Sequence, residues 1–357
     1  MSKRVQSKAS GTTRWRRGPL DKIVLATAAS LALAACGGSG EGTAAGGAAG
    51  ERSTPCDAAP DYPNGPVQMI VPWSAGGGTD SVARFVASEL ATALDTNVNV
   101  VNRTGGSGVV GHSAIAQARP DGRTIGLATV ELTMMHHQGL TDLTFADFSP
   151  IAQVNNDPAG ITVREDAPWD TAAELFAAAA EQPGELTGSG TGRGGIWNLA
   201  MAGALLEAGK DPGAVQWVPS EGAAPALQEL VAGGVDVSTA SLVENQTMIE
   251  AGRAKVLGVM AEERDAKYPD VPTLAEQGVD FTMSAWRGVV GPEGMEPEVI
   301  EELGCHLDGI VHGPAYQDFM GKAGFGIEWR GPEEFGAYIA EQDTSKGEIM
   351  EAAGLAQ

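Results

Sequence analysis

Three glycine-rich loops carry the residues best suited to chemistry in this chain. They are Ser74-Ala75-Gly76-Gly77-Gly78-Thr79, Gly106-Ser107-Gly108-Val109-Val110-Gly111 and Gly190-Thr191-Gly192-Arg193-Gly194-Gly195. Each follows a run that reads as a strand and precedes one that reads as a helix, so each presents backbone N–H groups at a helix N-terminus. Those amides lack intrahelical acceptors, and the macrodipole there favours an anion. Ser74, Thr79, Ser107, Ser189 and Thr191 add hydroxyls that either donate to a carboxylate or cap a helix. Converging on one cleft, three such loops would hold a small acid without any net positive charge. Taken singly, each is also an ordinary tight strand-to-helix turn.

The last two loops match G-x-G-x-x-G, the dinucleotide fingerprint, in the strand–loop–helix setting that it requires. The acidic residue that should follow about 20 positions on is poorly placed: Asp121 comes early, and Asp211 lies in a turn before a proline. A chain with 49 glycines also produces the pattern easily. Catalytic signatures are missing from the sequence. Thr187 stands where a G-x-S-x-G elbow around Ser189 needs glycine, and Ser220 has no histidine partner evident in sequence. There is no H-E-x-x-H, P-loop or paired-cysteine motif. The five histidines, His112, His136, His137, His306 and His312, show no metal-ligand spacing, and adjacent His136 and His137 cannot share one helix face. The sequence therefore predicts a binding site with no catalytic residue, no metal and no cofactor.

The elements that must position these loops alternate short β-branched runs with alanine-rich helical windows, the pattern of an α/β protein with mainly parallel sheets. Strands are expected at 67–71, 97–101 and 124–130, with helices at 80–94 and 109–118. A second series places strands at 160–163, 186–189, 215–218, 235–240 and 256–260, with helices at 171–181, 197–208 and 224–232. A long strand at 283–290 precedes three helices at 297–311, 315–323 and 332–341. Nothing after the first 35 residues approaches 18 consecutive apolar residues, so no later segment is expected to span a membrane.

The N-terminus sets the compartment. Seven Lys/Arg precede an apolar run of 13 residues, 23–35, which is too short for a membrane-spanning helix and reads as a secretory signal. Leu33-Ala34-Ala35-Cys36 looks like a lipobox, with Cys36 lipidated as the mature N-terminus; an ordinary signal peptide is the alternative, and Arg16-Arg17 raises twin-arginine export. Residues 37–52 are nearly all Gly, Ala, Ser, Thr and Glu, a flexible tether unable to bury a core. The expected location is extracytoplasmic and membrane-anchored. In an oxidising compartment the two remaining cysteines, Cys56 and Cys305, are expected to pair. The formal charge of −23 becomes −29 once the first 35 residues, with their net +6, are removed. Such a chain repels nucleic acid.

Beyond these readings, Ile70-Val71-Pro72-Trp73-Ser74-Ala75-Gly76-Gly77-Gly78-Thr79-Asp80 resembles the opening of the Bug/TctC family, the solute receptors of tripartite tricarboxylate transporters. The resemblance continues through Val101-Asn102-Arg103-Thr104-Gly105-Gly106-Ser107-Gly108, Asp147-Phe148-Ser149-Pro150-Ile151, Pro269-Asp270-Val271-Pro272 and Trp286-Arg287-Gly288, in order from Tyr62 onward. It implies a type II periplasmic-binding-protein fold with a ligand cleft between two lobes, 62–157 plus 287–357 and 158–286. It also implies a monomer that passes a small organic carboxylate to permease subunits. The ligand would be a di- or tricarboxylate, an aromatic acid or an acidic amino acid. Mapped onto this chain, the ligand residues are Ser74, Ala75, Gly77, Gly78, Thr79 and Asp80 from the first lobe, with Ser189, Gly190 and Thr191 from the second. Asp80 has helix capping as its other role. Arg193 is the candidate partner for a second ligand carboxylate, with a solvated loop arginine as the alternative. The chain departs from the family pattern at Ser220-Glu221-Gly222 and Asn198, and Glu221 or Glu131 could meet a ligand ammonium. A secreted enzyme or a tethered sensor is the competing reading.

Overall fold

The computed structural model describes residues 56–220 and 222–357. The signal segment, Cys36, the tether and Glu221 lie outside the described residues. The first half opens with β1 (Val67–Val71), α1 (Gly78–Ala93), β2 (Val98–Asn102), α2 (Val109–Ala116) and β3 (Thr124–Thr129). β4 (Phe148–Pro158) then leads out of this half. The chain returns through β10 (Ser284–Pro292), α7 (Pro297–Val311), α8 (Pro314–Ala323), β11 (Ile327–Arg330) and α9 (Pro332–Ala352). The resulting six-stranded sheet has the order β11-β4-β10-β3-β1-β2. β1, β2, β3 and β4 run one way, while β10 and β11 run antiparallel to their neighbours.

The intervening chain builds a second α/β unit from β5 (Gly160–Arg164), α3 (Ala172–Glu181), β6 (Leu186–Ser189), α4 (Ile196–Glu207), β7 (Val215–Trp217), α5 (Ala223–Ala232), β8 (Val237–Ser238), α6 (Leu242–Glu250) and β9 (Ala254–Val259). Its sheet has the order β7-β6-β8-β5-β9, in which only β5 opposes the other four strands. In both sheets most strands therefore share a direction, and the antiparallel pairs arise where the chain crosses between sheets.

Two crossings join the sheets, β4 into β5 and β9 into β10, and they are laced together. Ala159 N donates to Met283 O at 2.8 Å, Met260 N to Ala159 O at 2.8 Å, and Met283 N to Met260 O at 3.0 Å. A paired crossing of this kind is how two lobes move as rigid bodies about a narrow hinge.

The topology explains where a site can form. In the first sheet the chain steps from β1 to β2 on one side, then returns to place β3 on the other. The second sheet repeats this with β6, β7 and β8. Ligands in open α/β sheets bind beyond the carboxyl ends of the strands at such reversals. The loops after β1 and β6 sit at these two places.

Packing supports this frame. Met69, Val71, Val82, Val86, Leu90, Leu127 and Val289 are among the buried residues of a core under the first sheet. Phe176, Leu199, Leu205 and Val237 belong to a second core that runs on into Trp286, Phe335 and Met350. Cys56 and Cys305 form a disulfide with Cα atoms 5.7 Å apart, tying the start of the described chain to α7.

Three elements go beyond the sequence expectation: β4, α6 and β11. β4 carries Pro150, Asn155, Asn156, Asp157 and Pro158, a composition that hides a strand, and its buried polar residues serve the site described next. α9 also runs to Ala352 rather than to residue 341.

Candidate functional site

The loops after β1 and β6 are built on the same device. α1 begins after an N-cap at Gly77, and α4 after one at Gly195; neither cap residue supplies a side-chain hydrogen bond. Instead, the third helical residue reaches back over the cap. Asp80 Oδ2 accepts from Gly76 N at 2.8 Å, and Asn198 Oδ1 accepts from Gly194 N at 2.9 Å. Gly76 and Gly194 have φ of +85° and +73°, a conformation that glycine adopts without the Cβ penalty. The result in the first loop is a set of forward-facing amides. Among the described residues, those of Gly77, Gly78 and Thr79 find no acceptor within the chain.

Asp80 is fully committed to this bracing. Its Oδ2 also accepts from Arg84 Nε at 2.9 Å, and its Oδ1 accepts from Asn102 Nδ2 at 2.9 Å. Burial opposes its ionisation, but the hydrogen bonds from Arg84, Gly76 and Asn102 outweigh it and hold the carboxyl below its usual range. The same Asn102 amide donates to Trp73 O, so β2 clamps the loop from behind. The capping role, not direct ligand contact, is the one this geometry gives Asp80.

A buried cation stands behind the amides. Arg287, 7% exposed, lies on β10 in register with Thr129 of β3 and Asn155 of β4, beside a bulge. Bulges re-aim side chains, and here the guanidinium is turned under α1. Its Nε donates to Thr79 Oγ1 at 3.0 Å, and its Nη1 donates to Asn155 Oδ1 and Asp157 Oδ2. Asp157 is 3% exposed and also accepts from Asn155 Nδ2 and Gly326 N. Nη2 closes the space beside Gly78, where an ideal Cβ would stand 3.3 Å from it. Sequence reasoning passed over Arg287 as a site residue, although a charge inside an otherwise apolar strand was visible.

The glycine loop before α2 is fixed by a histidine. Thr129 N donates to His112 Nε2 at 3.3 Å, so the ring carries its proton on Nδ1 and donates to Gly108 O at 2.9 Å. Burial pushes His112 down to about 4, which keeps the ring neutral. Thr129 Oγ1 accepts from Trp73 Nε1 at 3.0 Å and donates to Glu131, whose acidity burial weakens. Ser107 is not brought into a hydrogen bond here; its φ of 54° makes it part of the turn itself.

In the second lobe, Ser189 is buried and donates to Val218 O at 2.8 Å. Thr191 O accepts from Trp217 Nε1 and Ser220 N. Its hydroxyl differs: Thr191 Oγ1 is buried with no partner, and a buried orphan of this kind is rare. Gly190 lies against Trp197, where a Cβ would come within 2.6 Å. Arg193 is exposed on the loop tip. No hydrogen bond among the described residues joins residues 74–80 to residues 189–193, so the two sets stand as separate walls.

Lys346 of α9 is 1% exposed and donates to Gln342 Oε1. Burial pushes it down to about 7 from 10.5, against the pull of Glu131 and Asp343. The unfolded chain therefore binds more protons between pH 7 and 10.5, and this lysine makes stability rise with pH across that window. Lys346→Met should flatten the rise. The check is the thermal midpoint of both proteins from pH 7 to 10, where the gap should be widest at pH 7 and narrow upward.

The matches to known proteins agree with this architecture. The family model of the tripartite tricarboxylate transporter family receptors, TctC, matches residues 82–355. Protein BugT of Bordetella pertussis is 28% identical over 288 residues, covering 79% of this chain and 87% of BugT. A TctC solute-binding protein from Polaromonas, solved without ligand, is 35% identical with a TM-score of 0.70, covering 81% of this chain and 99% of that one. MatC from Rhodopseudomonas palustris, solved with bound malate, is 25% identical with a TM-score of 0.71 over 81% and 99% of the two chains. These relatives are receptors, not enzymes, and share the two-lobed periplasmic-binding-protein fold. The chain belongs to the TctC family and is a periplasmic solute-binding receptor.

Proposed function

We propose that this receptor captures a small organic carboxylate between its lobes, 62–157 plus 287–357 and 158–286, and delivers it to a tripartite tricarboxylate-type permease from a lipid anchor at Cys36. The observation that carries the reading is the row of unbonded amides at Gly77, Gly78 and Thr79, with the Arg287 guanidinium behind it. Amides at a helix N-terminus, reinforced by a cation, form an anion site even on a strongly acidic protein. Ser74 and Ala75 border this row, while Ser189, Gly190 and Thr191 form the opposing wall. The Thr191 hydroxyl, buried beside Gly195 without a partner, is the donor that a ligand there would satisfy. Arg193, exposed at the tip of its loop, would reach a second carboxylate when the lobes close. The malate found in MatC supports a dicarboxylate as the first candidate.

The test is a thermal-shift panel of mono-, di- and tricarboxylates, aromatic acids and amino acids. A ligand that binds only the native state, at a hundred times its Kd, adds about 2.7 kcal/mol of stability. One class of acid should raise the midpoint and be recovered unchanged from the protein. A flat response across the whole panel, from protein stripped of ligand by unfolding and refolding, would contradict the reading. The anchor is tested separately: Cys36→Ser should free the chain from the membrane fraction.

A further inference from the structure

We propose a divalent transition-metal site, of the kind that takes Zn²⁺, formed by His136, His137 and Asp343. The two histidines lie in the turn after β3, and Asp343 lies on α9, more than 200 residues away in sequence. Adjacent residues diverge on a regular helix, but in this turn the two imidazoles lie side by side, tilted by 39° with ring centroids 4.0 Å apart. His136 Nε2 is 3.2 Å from Asp343 Oδ1, and His137 Nε2 is 3.6 Å from Asp343 Oδ2. One donor atom from each of the three residues lies within 4.8 Å of the others. Donors around a tetrahedral zinc at ordinary bond lengths stand about 3.3–3.5 Å apart, so the His136–Asp343 edge is already close to length and the third donor lies within a small shift of it.

Two further observations favour an ion over a simple histidine–carboxylate contact. His136 Nδ1 is buried without a hydrogen bond, and Asp343 Oδ1 has only the His136 ring beside it, which leaves polar capacity unused around the cluster. α9 also carries glycine at Gly347, one turn beyond Asp343. A Cβ there would come within 2.5 Å of the His137 ring, so the helix leaves a slot for that imidazole. Lys346 makes its hydrogen bond to Gln342, and its interaction with Asp343 is electrostatic only. The three side chains are 15 to 24% exposed, open enough for an ion to enter and for water to take a fourth position.

The position gives the site a consequence. Gln138, next in the same turn, lies against Gly194 of the second lobe's loop, where a Cβ would meet its Oε1 at 2.5 Å. A metal would fasten this turn to α9 and so stiffen one side of the cleft.

Equilibrium dialysis of the full chain, free of any polyhistidine tag, against Zn²⁺ with elemental analysis tests the proposal. It predicts one zinc per chain at micromolar or tighter Kd, and a thermal midpoint raised by zinc and lowered again by chelator. His137→Gln and Asp343→Asn should each weaken binding at least about 30-fold. Both are expected to keep the wild-type midpoint measured in chelator, and His136→Gln is a third variant should one of them fail to fold. Stoichiometric zinc with the same affinity in the variants would place the ion elsewhere on this acidic surface and overturn the site. Binding weaker than millimolar in the wild type would overturn it as well.

Discussion

Arg287→Met is expected to lower the thermal midpoint by roughly 6–12 °C. The reason is what the substitution leaves behind. Asp157, at 3% exposure, would keep only the Asn155 and Gly326 donors and lose its one ionic partner. Removing one member of a buried pair typically costs about 3–5 kcal/mol, because the other charge stays buried. A chain of this size converts that to a few degrees per kcal/mol, at the lower end of the usual range. Pairing the change with Asp157→Leu should recover most of the loss, since removing both charges removes the orphan. Ligand affinity should stay low in the double variant, because Thr79 and the amide row lose the cation behind them. Recovery of stability without recovery of binding is the signature that separates the two roles. A single variant with an unchanged midpoint would show that the pair is solvated and not part of the buried frame.

Gly77→Val is expected to weaken carboxylate binding at least about 100-fold, equivalent to some 2.7 kcal/mol, while leaving the ligand-free midpoint within a degree or two. Its φ of −82° suits any residue, and a Cβ there meets only Ser74 O at 3.6 Å. The fold therefore tolerates a side chain that still covers the amides a ligand must approach. Gly78→Val is the harsher neighbour. Its Cβ would press within 3.1 Å of the Phe325 ring and 3.3 Å of Arg287 Nη2, so affinity and stability should fall together. Calorimetric titration of both variants beside their melting curves makes the comparison. Full affinity in Gly77→Val would remove the first loop from the site.

Much of the frame was legible because it depends on local chemistry. The strand at β1, the glycines after it and the helix that they open could be read from residues within one short stretch, as could the second copy around β6. The helix boundary shifted by two residues because glycines, poor helix formers, supply the cap and first position of α1. What could not be read depends on contacts between distant residues. β4 was hidden because its asparagines and aspartate look like loop residues until Arg287, 130 residues away, is placed among them. Capping by Asp80 was legible from its place in the first turn of the helix, but the matching role of Asn198, which reaches back to a glycine of positive φ, was not. A helix-face argument separates His136 from His137 only if the two sit on a helix. The segment proved to be an irregular turn, where that argument has no force.

The amides at the N-terminus of α1 are the central feature of the proposed site, where the ligand's carboxylate would be held. A crystal structure of the protein with the best acid from the panel, malate being the first to try, tests it most directly. The prediction is a carboxylate oxygen within about 2.7–3.2 Å of the amide nitrogens of Gly77, Gly78 or Thr79, with Thr191 Oγ1 donating from the facing wall. A ligand bound elsewhere, or bound in the cleft with those amides facing only solvent, would contradict it.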